Sequence, residues 1–187
     1  MAIRSNHYDA AFEAWLRAQR LPYVAVDESR RALLADASLK SFDFVVYAAG
    51  GENLLVDVKG RRFPTAGRPG GHRWENWATR DDLDSLLRWQ TVFGAGFRSV
   101  LLFTYDVQGG QWPHADAEAL WRFRDREYAF YAVWADEFAA EMTTRSRSWD
   151  TVTLPAAAYR RLRCPLSDLL GPSDVSLASE SLQVAAC

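Results

Sequence analysis

Apolar residues recur first at helical spacing and then at alternating spacing along the first third of the chain. Over residues 7–19 the apolar side chains stand three and four positions apart, which is the pattern of an amphipathic helix. Apolar runs over 21–26, 41–47 and 53–59 predict three strands. The last two runs are separated by AAGGE, whose glycines permit a tight reversal, so we predict a hairpin. A short helical turn is predicted over 29–35.

The pattern then predicts a loop, a second helix and a fourth strand. Residues 60–78 contain four glycines and two prolines without a sustained period, which is typical of an exposed loop. Thr79 stands three residues before Asp82, an arrangement close to a capping box, and the helix that follows is expected to end at Gly94. Residues 100–105 (VLLFTY) are almost entirely apolar, as expected for a strand buried on both faces.

The remaining pattern predicts an extension and a tail. Two strands and two short helices are expected to extend one edge of the sheet, over 128–133, 149–154, 136–142 and 156–162. From Pro165 the chain is Ser-rich and weakly periodic, which favours a mobile or loosely docked segment. We therefore predict one domain over 1–164 and a tail over 165–187.

The order of the elements predicts the fold class. Helix, three strands, helix and strand follow one another, and the final strand–helix–strand connection should be a right-handed crossover between parallel strands. The hairpin is antiparallel, so the sheet would be mixed. We predict an α/β fold with an αβββαβ core, a central mixed sheet flanked by helices and a C-terminal β/α extension.

Composition excludes several classes of protein. With 187 residues, 49% hydrophobic and 25% charged, the chain is ordinary for one soluble domain. No stretch approaches the roughly 20 apolar residues that span a bilayer, and the N-terminus lacks the apolar run of a signal peptide. Cys164 and Cys187 match neither a disulfide framework nor a zinc spacing. We expect a cytoplasmic protein without a membrane partner.

Charge is unevenly distributed along the chain. The net charge of −2 argues against histone-like binding of nucleic acid, which depends on many cationic side chains. One segment nevertheless carries six cations against the single acid Glu75, namely Lys59, Arg61, Arg62, Arg68, Arg73 and Arg80. A local basic rim and an ordinary solvated loop both fit this segment.

Two carboxylates and a lysine are predicted to meet on the hairpin. If the chain reverses about Gly50, Asp43 lies opposite Asp57, and opposite residues share a face of the sheet. Lys59 points to the same side because side chains alternate along a strand. Like charges across a hairpin are destabilising, so the pair of aspartates needs a reason to be there.

A divalent cation would supply that reason. Mg²⁺ prefers oxygen ligands and is typically held by one or two carboxylates, water and substrate phosphate. A lysine beside such a site can act on the phosphate or on the attacking water. The corresponding reaction is hydrolysis of a phosphodiester. The alternative is a solvated cross-strand network of charges. An aspartate two positions before a lysine, as in Asp57-Val58-Lys59, is common in proteins and does not by itself indicate a metal site.

The residues Phe42-Asp43, thirteen intervening residues and then Asp57-Val58-Lys59 resemble the motif of the PD-(D/E)XK nuclease superfamily. The superfamily core has the same order of elements, and the resemblance covers residues 7–105. It implies Mg²⁺, or Mn²⁺ in its place, held by both aspartates and the Val58 carbonyl, with the lysine acting on the water. Phe42 stands where the motif name has proline.

The resemblance also points to one residue on each predicted helix. Many members carry an acid on the first helix, which makes Glu13 a candidate catalytic residue and a further candidate metal ligand. An i,i+4 pair with Arg17 is the alternative. Gln90 lies within the apolar stripe of the second helix, and related nucleases use such a glutamine at the active site. A bond from Gln90 to the backbone of a strand is the alternative.

Candidates for binding nucleic acid lie in the basic segment. Arg61 and Arg62, just beyond the strand, would contact phosphates, with Arg68 and Arg73 further along the rim. Trp74 and Trp77 could stack on bases, or could equally anchor the loop to the core.

The string of residues 7–13 (HYDAAFE) resembles a bacterial group named for its HYExAFE motif, a name that carries no activity. The leading hypothesis is a Mg²⁺-dependent nuclease acting on DNA in repair, recombination or restriction. A catalytically silent nucleic-acid-binding or scaffold protein is the alternative, and an unrelated α/β protein is a third. A homodimer is among the assemblies that the sequence allows.

Overall fold

The computed structural model describes residues 6–27, 32–34, 37–48, 50–64, 74–110, 112 and 120–170. The helices within these ranges are α1 (His7–Ala18), α2 (Arg80–Phe93), α3 (Ala135–Glu141), α4 (Ala156–Leu162) and α5 (Ser167–Leu170). The strands are β1 (Tyr23–Ala25), β2 (Ala32–Leu34), β3 (Ala37–Leu39), β4 (Phe44–Val46), β5 (Asn53–Phe63), β6 (Trp77–Thr79), β7 (Phe97–Val107), β8 (Leu120–Phe123), β9 (Arg126–Trp134), β10 (Thr143–Ser146), β11 (Thr151–Thr153) and β12 (Cys164–Pro165).

A mixed sheet forms the centre of the described chain. Its strand order is β1-β4-β5-β7-β9-β12, with β8 paired to β9. Strands β5 and β7 are parallel, as predicted for a crossover through α2, and the other pairs are antiparallel. The predicted αβββαβ core corresponds to α1, β1, β4, β5, α2 and β7. Helices lie on both faces of the sheet, which confirms the predicted fold class.

Helix α1 covers one face of the sheet because its apolar stripe meets aromatic side chains there. Phe12 packs edge-to-face on Phe44 and lies 5.7 Å from Phe130, measured between ring centroids. Tyr8 lies directly over Gly60, so closely that a Cβ on this glycine would fall 2.5 Å from ring atoms Cγ and Cε2. The aromatic residues of the 7–13 string are therefore packing residues that fix the start of α1 on β5.

Helix α2 covers the opposite face and begins and ends as predicted. Thr79 and Asp82 form the complete capping box, with hydrogen bonds of 3.1 and 3.2 Å between each side chain and the other backbone N–H. Leu83 and Leu86 are buried against the sheet. The helix ends at Gly94, whose φ of 74° lies in the region that favours glycine.

Two sequence predictions about local structure are wrong. Ala32–Leu34 is a strand paired with Ala37–Leu39, where a helical turn was predicted over 29–35. Short apolar runs do not distinguish helix from strand, and here the pairing decides. Both ends of the loop predicted over 60–78 belong to strands, because β5 continues to Phe63 and β6 begins at Trp77. Gly60 and the consecutive arginines Arg61 and Arg62 conceal the last part of β5 in the sequence.

The C-terminal strands are divided between two sheets. The segment predicted over 128–133 becomes β9, which pairs with β7 in the central sheet. The segment predicted over 149–154 becomes β11, which instead forms a smaller sheet with β10 and β6. This smaller sheet is joined to the start of α2 because β6 runs directly into that helix.

The described fold continues past the boundary predicted at 164. Strand β12 pairs with β9, and Leu166 and Leu170 are buried. Residues 171–187 of the predicted tail lie outside the described residues. None of the helices in the described ranges is long and apolar enough to cross a membrane.

Candidate active site

The candidate site lies beside the first residue of β4, where β5 continues past it. The two strands pair from Val46 and Leu54 to Phe44 and Val56, which is the register predicted from a reversal about Gly50. Strand β5 then runs on to Phe63, paired along its other edge with β7. Because β4 begins only at Phe44, a notch is left beside the middle of β5.

Asp43 occupies this notch. The ladder changes here, because the Asp43 N–H donates to the Val56 carbonyl at 2.9 Å. The Asp43 carboxylate then takes the place of a backbone acceptor, and its Oδ2 accepts from the N–H of Val58 at 2.6 Å. Since this N–H belongs to the peptide that links Asp57 to Val58, the carboxylate lies beside the backbone of the second aspartate.

Asp57 and Lys59 share one face of β5, as predicted. The Lys59 ammonium lies 2.7 Å from Asp57 Oδ2, and both side chains are largely buried. Strand alternation puts them on the face that α2 covers. The sequence motif therefore forms one local cluster, with Asp43 at its edge.

A third carboxylate joins the cluster from α2. Asp82 Oδ2 accepts from Lys59 Nζ at 2.9 Å, and its Oδ1 accepts from Lys40 Nζ at 2.8 Å. The sequence identified Asp82 only as a helix cap and did not identify Lys40. The capping box marks Asp82 as the first-turn acid of α2, but no spacing rule links it to Lys59.

Lys40 also fixes the segment that leads into Asp43. Its backbone N–H donates to Ser85 Oγ at 3.1 Å, and its carbonyl accepts from Trp89 Nε1 at 2.8 Å. With the Asp82 ion pair, these contacts tie residue 40 to three successive turns of α2. The chain therefore enters Asp43 from a position that α2 determines.

The electrostatic balance keeps Lys59 charged. Burial alone would favour the neutral amine, but Asp57 and Asp82 outweigh it and raise the pKa of Lys59 well above its usual range. Burial also disfavours charge on Asp82, yet Lys59 and Lys40 hold the pKa of that carboxyl well below its usual range. For Asp57, burial dominates over the attraction of Lys59, and its pKa is raised.

The donor atoms around the notch fit a hard divalent cation in their chemistry. Asp43, Asp57 and the Val58 carbonyl could supply oxygen ligands, which are those that Mg²⁺ prefers. The described parts of the chain contain no group of three or more acidic, histidine or cysteine side chains placed to hold a metal ion. A cation here would therefore take the rest of its shell from water and substrate phosphate.

Glu13 is not brought to this cluster. Its Oε1 accepts from Arg17 at 2.7 Å and from the Tyr23 hydroxyl at 2.9 Å, on the α1 face of the sheet. The predicted catalytic role is therefore corrected to the i,i+4 pair, extended by a tyrosine. Glu13 stands at the border of the apolar stripe of α1, and this position places its carboxylate beside Tyr23 of β1.

Gln90 is also placed away from the cluster. Its Oε1 accepts from the N–H of Ser99 at 2.7 Å. Ser99 pairs with Leu55, two residues before Asp57 and four before Lys59, which is about 7 Å and 13 Å along the strand. The amide thus has the polar partner that its position required, but this partner is a strand backbone and not the active site.

The predicted nucleic-acid contacts divide between core and surface. Arg61 is 8% exposed, and its guanidinium donates to the carbonyls of Gly60 and Trp77, so it is corrected from a phosphate contact to a structural residue. Arg62 is exposed and points to the other face of β5. Arg68 and Arg73 lie outside the described residues.

The two tryptophans anchor their segment to the core, which is the second of the two roles predicted for them. Trp74 packs among aromatic rings, with centroids 4.5 Å from Phe63 and 5.1 Å from Tyr105. The ring of Trp77 lies 3.9 Å from the guanidinium carbon of Arg61. Neither ring is an open stacking platform.

Comparison with known proteins identifies the fold. No protein-family model matches the chain, and no curated protein matches it in sequence. Among solved structures it is similar to Hjc, a Holliday junction resolvase from the archaeal hyperthermophile Archaeoglobus fulgidus. The TM-score is 0.50 at 10% sequence identity, over 88% of this chain and 98% of that one. The chain therefore has a resolvase-like, restriction-endonuclease-like fold.

Proposed function

We propose that this chain is a metal-dependent nuclease that hydrolyses phosphodiester bonds in DNA. The observation that carries the proposal is the grouping of Asp43, Asp57 and Lys59 at the notch between β4 and β5. The fold shared with a protein described as a Holliday junction resolvase supports DNA as the substrate. These residues are two acids and a cation, which suits the chemistry of phosphate transfer to water.

Some residues of the notch would bind the metal ion, and Lys59 would stabilise charge on the phosphate or water. Asp43, Asp57 and the Val58 carbonyl would hold Mg²⁺, with Mn²⁺ as a substitute. When bound, Mg²⁺ supplies charge stabilisation on the phosphate and lowers the pKa of a bound water. Lys59 is an ammonium at neutral pH because its pKa is raised, so it donates hydrogen bonds to phosphate or water.

The test is cleavage of plasmid, single-stranded and branched DNA with Mg²⁺, Mn²⁺ or EDTA. We expect cleavage that requires the metal and falls at least about 100-fold in Lys59→Ala. The ammonium would stabilise the negative charge that develops in the transition state. Asp57→Asn should lose cleavage as well. DNA binding by Lys59→Ala, measured without Mg²⁺, should be largely preserved.

Asp84→Asn is the matched control, because Asp84 is an exposed carboxylate on α2. It should cleave at the wild-type rate. Equal cleavage by wild type and Lys59→Ala, above the background of a mock purification, would overturn the proposal.

A catalytically silent DNA-binding protein is the second candidate. It is favoured by one observation, namely that the Lys59 ammonium lies 2.7 Å from Asp57, the carboxylate that a metal ion would need. DNA binding that is unaffected by Mg²⁺, with no cleavage of any of the three substrates, would select this candidate.

A further inference from the structure

A second site lies next to the notch, on the α2 face of the sheet. It is a pocket of about 400 Å³ between the Trp74–Trp77 segment, the end of β11 and helix α4. A volume of this size falls within the range of small-molecule sites and exceeds what a bare phosphate needs. Arg61 forms its connection to the notch, because this residue bonds the Trp77 carbonyl and stands two positions beyond Lys59 on β5. That separation is about 7 Å along the strand.

The pocket is cationic although the chain as a whole is acidic. Its charged lining consists of Arg145, Arg160, Arg163 and one acid, Glu75. Glu75 lies 3.7 Å from Arg145, so only one of the three arginines is paired with a carboxylate of the lining. The net charge of the lining is therefore +2, three cations less one anion. Such a surface favours an anionic ligand.

Several donors around this pocket have no acceptor. Nη1 of Arg163 and Nε1 of Trp77 belong to the lining, are buried and make no hydrogen bond to any residue that the structure describes. Nε of Arg61, behind the lining on β5, is a third such donor. Buried donors without an acceptor are costly, and natural proteins rarely keep them. Their concentration at one pocket indicates a missing acceptor with several oxygens.

Aromatic rings hold the guanidinium groups in place. The guanidinium carbon of Arg163 lies 3.6 Å from the centre of the Trp74 ring and 4.6 Å from that of Tyr131. Arg145 lies 4.7 Å from the Trp77 ring centre. A guanidinium stacked in this way keeps its edge available for donating to phosphate oxygens, and little side-chain entropy is left to lose.

We propose that this pocket binds a phosphate-bearing nucleotide, namely the one that flanks the cleaved bond. The assignment to a strand rests on the proposed nuclease function, whereas the affinity for a nucleoside monophosphate does not. Arg163 and Arg160 donate to the phosphate, and the remaining volume takes the sugar and base. The phosphate oxygens supply the acceptors that the buried donors lack.

The experiment is titration of the protein with thymidine 5′-monophosphate without any divalent metal, followed by tryptophan fluorescence and calorimetry. We expect binding that Arg163→Gln weakens by about ten-fold, the loss expected for a charged hydrogen bond. Because Arg163 packs on Trp74, its replacement can disturb the fold. Arg160→Gln is therefore the second variant, since Arg160 is exposed, and it should weaken binding about three-fold with an unchanged melting temperature.

Controls separate this site from the notch and from charge in general. Arg147→Gln removes an exposed arginine outside the pocket lining and should bind like wild type. Failure of the nuclease proposal would leave this result standing, because the titration contains no divalent metal and measures binding and not cleavage. Thymidine binding as tightly as its monophosphate, or equal binding by wild type, Arg163→Gln and Arg160→Gln, would overturn the inference.

Discussion

Lys59 carries a largely buried positive charge that two carboxylates of different origin hold in place. Asp57 comes from the same strand and Asp82 from the cap of α2. Burying a charge costs free energy, which the ion pair offsets. Removal of one partner therefore leaves an uncompensated buried charge and destabilises the fold. The same lysine therefore connects the stability of the α2 start with the chemistry of the notch.

Asp82→Asn tests this connection through pH. The folded-state pKa of Asp82 is lowered, so its charge stabilises the fold above the unfolded pKa of about 4 and this contribution is lost as pH falls through the folded pKa. We expect the variant to lose about 1–3 kcal/mol of unfolding free energy at neutral pH. The difference from wild type should shrink below about pH 4, measured by urea unfolding.

Asp84→Asn again serves as the comparison, with the same unfolding free energy as wild type at each pH. A difference between wild type and Asp82→Asn that stays constant down to the lowest pH would contradict the ion-pair explanation.

The contact between α1 and β5 depends on the absence of a side chain. The Tyr8 ring occupies the space of a Cβ on Gly60, and Gly60 immediately follows Lys59. The position of α1 on the sheet is thus fixed at the strand segment that also carries the candidate site. A glycine that the sequence pattern assigned to a loop is explained by this close approach.

Replacing Gly60 by Ala should lower the unfolding free energy by about 1–3 kcal/mol, because the ring must move. In a Tyr8→Ala background the same replacement should cost little, so the two changes should be strongly non-additive. Gly50→Ala is the matched control, since no residue that the structure describes has an atom within 4 Å of its added Cβ. Additive effects in the double variant would show that the ring contact is not the cause.

Gln90 joins α2 to the start of β7, which gives it a structural role. Gln90→Ala leaves the Ser99 N–H without this acceptor and should lower the unfolding free energy by about 1–2 kcal/mol. DNA cleavage per folded molecule should be unchanged, measured below the melting transition of both proteins. A large loss of cleavage without a loss of stability would show that Gln90 has a role in catalysis.

The folded chain as a whole should respond to the metal that the proposed function requires. Asp43 and Asp57 are both buried carboxylates beside one peptide, and a bound cation would stabilise the folded chain over the unfolded one. At a Mg²⁺ concentration ten times the dissociation constant, the gain is about 1.4 kcal/mol, or about 3–6 °C in melting temperature. EDTA should remove the shift, and Asp57→Asn should not show it. An equal shift in both proteins would place the cation elsewhere.

Much of the molecule follows from interactions between residues that are close in sequence. The apolar period of α1, the capping box at Thr79, the glycine at the end of α2 and the hairpin register each depend on a few neighbouring residues, and each prediction is confirmed. Alternation along β5 is enough to put Asp57 and Lys59 on one side. Local patterns succeed because sterics and backbone hydrogen bonding act over one or two turns.

The rest depends on packing between distant segments. Asp82 meets both Lys59 and Lys40 only because α2 lies across β5, and no sequence spacing specifies that crossing. The same packing separates Gln90 from the notch. It also buries Arg61 beneath Trp77, where the sequence suggested an exposed cation. A polar residue in an irregular segment finds its partner from the tertiary structure, because burial sets the need for a hydrogen bond while topology selects which group provides it.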